Sequence, residues 1–352
     1  MVITAHHIIL DGWSGPILVA DLLAAHLGRP PVTPSVDMES YLEWLDRRDR
    51  AAARAAWQDA LADATPTLVA PHHAARSRPE TRRPYELDAR LDAAARARVE
   101  ERIRQLGSTM STALHAAWSI LLSRLTGEQR VVFGETVSGR PADLDGADAM
   151  IGLFINTVPV VADVDPDRTV ADLVTALHES RTGLVDHQFL GLGEITRATG
   201  HAALFDTLVV YESYPVDTGT VLEGSRTSGL EIRDVTTSDA THYPLALIAA
   251  PDGDELSLTV KADLTAVDAE VVEVIASGMV DLLVAFADDP ATRLAALDPM
   301  PAEMRGTVEA WSRGVVVGLG WGGRSVGSVV AERVGLSGSE VAVWCGDRVV
   351  SY

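Results

Sequence analysis

Two adjacent histidines, His6 and His7, sit near the start of the chain in ITAHHIILDGWSG, and His7 stands four positions ahead of Asp11, which Gly12 follows. An imidazole titrates close to neutral pH, so it can accept a proton from a reacting amine or alcohol. A carboxylate just downstream can pair with a cation or hold a loop. A metal site is the weaker reading, because no third ligand follows at a suitable spacing. The same doublet recurs as His72 and His73 in APHHAARSRP, with no aspartate at the fourth place and with proline and arginine around it. That second pair reads as part of a solvated linker.

The residues around the first pair must position it. Residues 1–10 are rich in Val and Ile and read as a strand. Successive side chains of a strand point to opposite faces, so one histidine faces a cavity while the other packs. His7 and Asp11 share parity but lie about 13 Å apart when fully extended. Contact therefore needs a bend after Ile8 or Ile9, which Gly12 eases. Asp11 then anchors the loop rather than chelating an ion. By itself a histidine beside apolar residues is more often a packed core residue than a catalyst; the whole segment is what shifts the balance.

Helical periodicity follows over 14–28, with Ser14 as N-cap and Gly28 late, and over 35–63 as one long helix or a pair. A proline-bearing linker spans 64–84. Beyond it the pattern predicts strands at YELDARLD, QRVVFGETV, INTVPVVADV, FDTLVVYESYP, LEIRDV, YPLALIAA and ELSLTVKAD, interspersed with helices. The order is mixed α and β, without the regular alternation of a doubly wound parallel sheet. After residue 300 a short helix, a glycine-rich stretch and a new helix and strand pattern run to the end.

The chain has 352 residues, 47% hydrophobic, and a net charge of −21. Such an acidic balance argues against a free nucleic acid partner, which needs clustered Lys and Arg. A single cysteine, Cys345, excludes an internal disulfide framework and a cysteine-based zinc cluster, and fits a reducing cytoplasm. No apolar run reaches the ~18 residues of a membrane helix.

HHIILDGWS resembles the HHxxxDG motif of condensation domains of nonribosomal peptide synthetases, through His6, His7, Asp11 and Gly12. Further segments are similar to that family in the same order: YLEW with Tyr41 and Trp44, VVFGETVSGRP ending in Arg140 and Pro141, and MIGLFINTVPV with Gly152, Phe154, Asn156 and Thr157. LVDHQFLGLGEI, with His187, and LFDTLVVYESYP resemble later motifs. The tail from Val326 resembles the opening of an adenylation domain. Two motifs that precede the histidines in the family, one of them arginine-bearing, have no counterpart here. Ser213 stands where relatives often carry Asn, and Val161 where they often carry Arg.

The resemblance implies an α/β (α+β) fold of the chloramphenicol-acetyltransferase type, two lobes with a tunnel between them, the N-terminal lobe incomplete. Residues 1–64 would end that lobe, 65–84 link it, 85–300 form the C-terminal lobe, 301–324 link again, and 325–352 begin an adenylation domain. The implied reaction joins a donor acyl thioester to the α-amine of an acceptor aminoacyl thioester. His7 would sit at the tunnel midpoint and take the proton from the attacking amine. A backbone N–H near Gly12 would help stabilise the oxyanion. Asp11 would pair with Arg140, His6 would pack behind the site, and Asn156 and Ser213 would support it. No cofactor is expected to bind directly, since both substrates ride on the phosphopantetheine of carrier domains. The expected partners are upstream and downstream carriers and the adjoining adenylation domain, with neither nucleic acid nor membrane. Epimerisation or another acyl transfer of the same superfamily, and a non-catalytic carrier-docking remnant, remain the rival readings.

Overall fold

The computed structural model describes residues 3–30, 34–70, 84–212, 241–313, 325–345 and 348–351. His72, His73, Ser213, most of the basic stretch 75–84 and the strand expected over 230–235 lie outside them. The chain divides into two compact units, Met1–Pro301 and Ala302–Tyr352.

In the first unit, α1 (Ser14–His26), α2 (Met38–Asp46) and α3 (Arg50–Ala60) come before any strand. The long 35–63 periodicity breaks because Asp49 accepts the N–H groups of Ala51 and Ala52 and starts a new helix. Next come β1 (Tyr85–Leu91), α4 (Ala93–Gln105), α5 (Met110–Thr126), β2 (Arg130–Val137), β3 (Asn156–Asp163), α6 (Val170–Gly183), α7 (Leu192–Thr199) and β4 (Thr207–Tyr211). The unit continues with β5 (Leu245–Asp252), β6 (Glu255–Ala262) and α8 (Ala269–Asp288).

These strands form one six-stranded sheet in the order β1-β6-β5-β4-β2-β3. β4 runs parallel to both β2 and β5, and the other pairings are antiparallel. Strand β1 is an edge, and its charged residues Glu86, Asp88 and Arg90 alternate outward, a pattern that discourages further pairing. Gly253 takes φ 59° in the two-residue β5–β6 loop, the place that a type II′ turn reserves for glycine.

Helices cover both faces. On one, Leu114, Trp118 and Leu122 of α5 and Ile275, Leu283 and Phe286 of α8 pack against Phe133, Leu247 and Leu258 of the sheet. Helix α5 is buried on nearly every side, so its sequence is apolar all round rather than striped. On the other face, Ala53 and Trp57 of α3 and Ile195 of α7 join Val132, Val158 and Phe205. Gly134 permits this layer: a Cβ there would meet Phe205 at 2.5 Å. Residues 66–70 are also docked: Thr67 Oγ1 accepts the Val132 N–H at 2.8 Å, and Asp206 accepts the Val69 and Ala70 N–H groups at 2.9 and 2.8 Å.

One expected element is corrected. Residues 1–10 do not form a strand over their described part. The Ile9 N–H donates to the His6 carbonyl at 3.0 Å, closing a turn. Residues 3–9 are exposed and no described strand lies beside them. Val and Ile favour a strand only where a neighbouring strand or core face receives them.

The second unit holds α9 (Ala302–Ser312), α10 (Val326–Ser337) and an antiparallel hairpin of β7 (Val341–Cys345) and β8 (Arg348–Ser351). Among the described residues no helix is long and apolar enough to cross a membrane.

Candidate active site

The turn carrying the histidines hangs on the aspartate behind it. His6 Nδ1 accepts the Ile8 N–H at 3.1 Å, so in the neutral ring the proton sits on Nε2. His6 and His7 are both exposed. The expectation of one cavity-facing and one packed histidine is therefore corrected: it rested on strand alternation, and a turn has no such alternation. A concavity of about 590 Å³ is bordered by Pro66, Val69, Leu125, Val267 and Val271 and includes none of the candidate residues.

Asp11 lies at the bottom of the turn, with its side chain fully buried. Its N–H donates to the Gly152 carbonyl at 3.0 Å. Carboxylate Oδ1 accepts the Ser14 N–H at 2.9 Å and the Ser14 hydroxyl at 2.7 Å. Oδ2 accepts the Phe154 N–H at 3.0 Å. Across from it, Arg140 donates from one terminal nitrogen to Oδ1 at 3.1 Å and Oδ2 at 3.4 Å. Its other terminal nitrogen donates to the carbonyls of Ala147 at 2.7 Å and Met150 at 2.9 Å. Burial by itself would raise the Asp11 carboxyl. The Ser14 hydroxyl, the Phe154 N–H and the Arg140 guanidinium outweigh it and hold the group below its ordinary range.

Aromatic rings wall this pair. The Arg140 guanidinium lies 4.1 Å from the Phe154 ring centre and 5.5 Å from that of Trp13. Tyr41 meets Phe154 edge to face at 4.8 Å, and the Trp13 indole N–H donates to the Asp148 carbonyl at 2.9 Å. Trp44 stacks beside Tyr41 and donates to Asp143 at 2.9 Å. Gly139 adopts φ 61°, and a Cβ there would fall 1.7 Å from the Phe154 carbonyl oxygen, so only glycine fits before Arg140.

Gly12 is exposed between Asp11 and the helix. Asn156 lies elsewhere in the fold: its amide donates to the Gln188 and Leu190 carbonyls, both at 2.8 Å, and pins the turn after α6. His187 belongs to that turn, and its carbonyl accepts the Trp57 indole N–H at 2.9 Å. Thus His6, His7, Asp11, Gly12 and Arg140 form one neighbourhood, Asn156 serves a second, and Val161 sits on β3 opposite Val132.

Two features are not evident from the sequence reading. Ser14, taken there as an N-cap, is instead the first residue of α1 and part of the Asp11 cluster. The second is a buried group between α5, α6 and β2, where Arg181 makes a two-point pair with Glu135 and donates to Ser111 and Thr112. His115 Nε2 lies 3.8 Å from Glu135. A lone carboxylate in the apolar run VVFGETV was the available signal.

Burial pushes the His115 imidazole down to about 4. In the unfolded chain it titrates near ~6.5. The folded value lies below the unfolded one, so protons bind the unfolded chain preferentially between them. Stability should therefore fall as pH drops from ~6.5 towards 4, by up to about 3 kcal/mol. Urea unfolding of the wild type and His115→Gln across that window checks it: the wild type should lose stability relative to the variant as pH falls, and parallel curves would refute the assignment.

A six-stranded mixed sheet clad by helices, with a histidine turn tied down by a buried aspartate–arginine pair, defines a chloramphenicol-acetyltransferase-like fold. The chain belongs to the condensation domain family, whose profile matches residues 1–306. It is 32% identical over 314 residues to chondramide synthase of Chondromyces crocatus, covering 86% of this chain and 8% of that protein. It is 34% identical over 262 residues to vanchrobactin synthetase of Vibrio anguillarum, covering 73% of this chain and 9% of that protein. The chain thus spans only a small part of the length of these curated relatives. Among solved structures it resembles the first condensation domain of the calcium-dependent antibiotic synthetase, with TM-score 0.66, 19% identity, and coverage of 84% of this chain and 65% of that one. The X-domain from teicoplanin biosynthesis is similar as well, with TM-score 0.67, 22% identity and coverage of 84% and 70%. Among the described residues no cluster of His, Cys, Asp or Glu is placed to hold a metal ion.

Proposed function

We propose that the chain is the HHxxxDG-bearing part of a peptide synthetase condensation domain and forms the amide bond between two carrier-bound substrates. The observation that supports this most is the buried Asp11–Arg140 pair directly behind the exposed His7 turn. That arrangement spends a desolvated ion pair on fixing a loop whose tip carries an imidazole.

In this reading the acceptor α-amine attacks the donor thioester carbonyl. The C–N bond forms, the C–S bond breaks, and the amine's proton passes to His7 and on to the departing thiolate. A backbone N–H near Gly12 steadies the oxyanion. Both substrates arrive on phosphopantetheine arms, so carriers on either side are the partners and no cofactor is held by the chain itself. The second unit is proposed as the beginning of an adenylation domain, and the location as cytoplasmic.

Fold similarity alone does not choose between chemistry and docking. The test is a synthetase module carrying this sequence, mixed with a donor-loaded and an acceptor-loaded carrier. Mass spectrometry of the acceptor carrier should show the joined product. Carrier binding with no product would favour the docking reading. Solvent exchange at the α-carbon without joining would favour epimerisation.

A further inference from the structure

We infer that Ser14 is a positioning residue for the His7 turn, acting through Asp11 and Gly152; this rests on the amide-forming role proposed above. The Ser14 hydroxyl is fully buried between four polar groups of three separate segments. It lies 2.7 Å from Asp11 Oδ1 and 2.9 Å from the Gly152 carbonyl, two acceptors for one proton. It accepts the Gly152 N–H at 3.0 Å and the Arg140 guanidinium at 3.2 Å. A helix N-cap needs only one of these bonds, and this helix has none from its own cap residue, Trp13.

The arrangement closes a ring. Asp11 N–H binds the Gly152 carbonyl, and the Gly152 N–H binds Ser14 Oγ. Ser14 Oγ in turn reaches the Asp11 carboxylate. The segment 11–14 is thereby locked edge to edge onto 152–154, and the histidine turn projects from the locked end. Without the hydroxyl, the Gly152 N–H loses its partner in a buried place, and one side of Asp11 Oδ1 opens. The lock then loosens where the turn leaves it, although the Arg140 pair remains. Misplacement of a reacting group by about 1 Å lowers the chemical step far more than substrate capture. Ser14 touches no substrate, so its effect belongs in kcat.

The test uses Ser14→Ala and Ser14→Thr in the synthetase module, with product formation, thermal unfolding and amide hydrogen exchange measured on each. Ser14→Ala should lower kcat roughly tenfold with KM within about twofold. The Gly152 and Phe154 amides should exchange faster while the unfolding transition stays cooperative. Ser14→Thr, which keeps the hydroxyl, should restore most of kcat and the amide protection. Unchanged kcat in Ser14→Ala, or a loss matched by the unfolded fraction, would overturn the inference. If the wild type forms no product, the amide-forming reading fails; unchanged exchange at Gly152 and Phe154 in Ser14→Ala separately refutes the lock.

Discussion

Arg140→Ala should destabilise the first unit by about 3–5 kcal/mol, the range for breaking a buried pair from one side. The arginine side chain is 4% exposed and the aspartate 0%. Removing the guanidinium leaves the Asp11 carboxylate in place, still receiving Ser14 and Phe154 but with no positive charge beside it. It also strips donors from the Ala147 and Met150 carbonyls and removes the cation lying over Phe154. A loss of this size is a large part of the ~5–15 kcal/mol that holds a typical domain folded.

The sign with pH is an added check. In the wild type the Asp11 carboxyl is held below its ordinary range, so its contribution is present at neutral pH and lost as pH falls through that lowered value. Without Arg140 one of the groups that lower it is gone, so the carboxyl moves up. The stability deficit of Arg140→Ala should therefore shrink as the solution is acidified and Asp11 takes a proton. Adding Asp11→Asn should recover part of the deficit at neutral pH, because the charge is gone while the loop keeps a hydrogen-bonding group. Urea denaturation of the two single variants and the double variant measures the coupling. A deficit below about 1 kcal/mol would mean that the pair is solvated rather than buried.

Sequence reasoning reaches the elements that decide themselves locally. Helices α4 and α5 and strands β5 and β6 lie where the sequence pattern places helices and strands, while the caps Asp92 and Thr109 and the tight turn at Gly253 are seen in the structure. The histidine segment is different. Its Val and Ile content signals a strand, but strand formation depends on a neighbour that the local sequence does not contain. The Asp11–Arg140 contact, 129 residues apart, is legible only through the order of family-like motifs. Ser14 and Gly152, 138 residues apart, lie in two of the same family-like segments, but a serine ahead of an apolar helix reads as a cap, so their contact was not read from them. Glu135 was readable as a charge within a buried strand, though its partners on α5 and α6 were not.

The proposed chemistry rests on His7. Its side chain is exposed, so His7→Ala should leave urea stability within about 0.5 kcal/mol of the wild type. Product formation should nevertheless drop by about 10²–10⁴-fold, the scale of losing a general base. His6→Ala should cost less, since His6 is engaged with the Ile8 N–H of its own turn. The decisive measurement is single-turnover formation of the joined product on the acceptor carrier, wild type against His7→Ala, at matched folded concentration. The expected result is product from the wild type and almost none from the variant. Equal rates from both would contradict the assignment of the chemistry to this histidine.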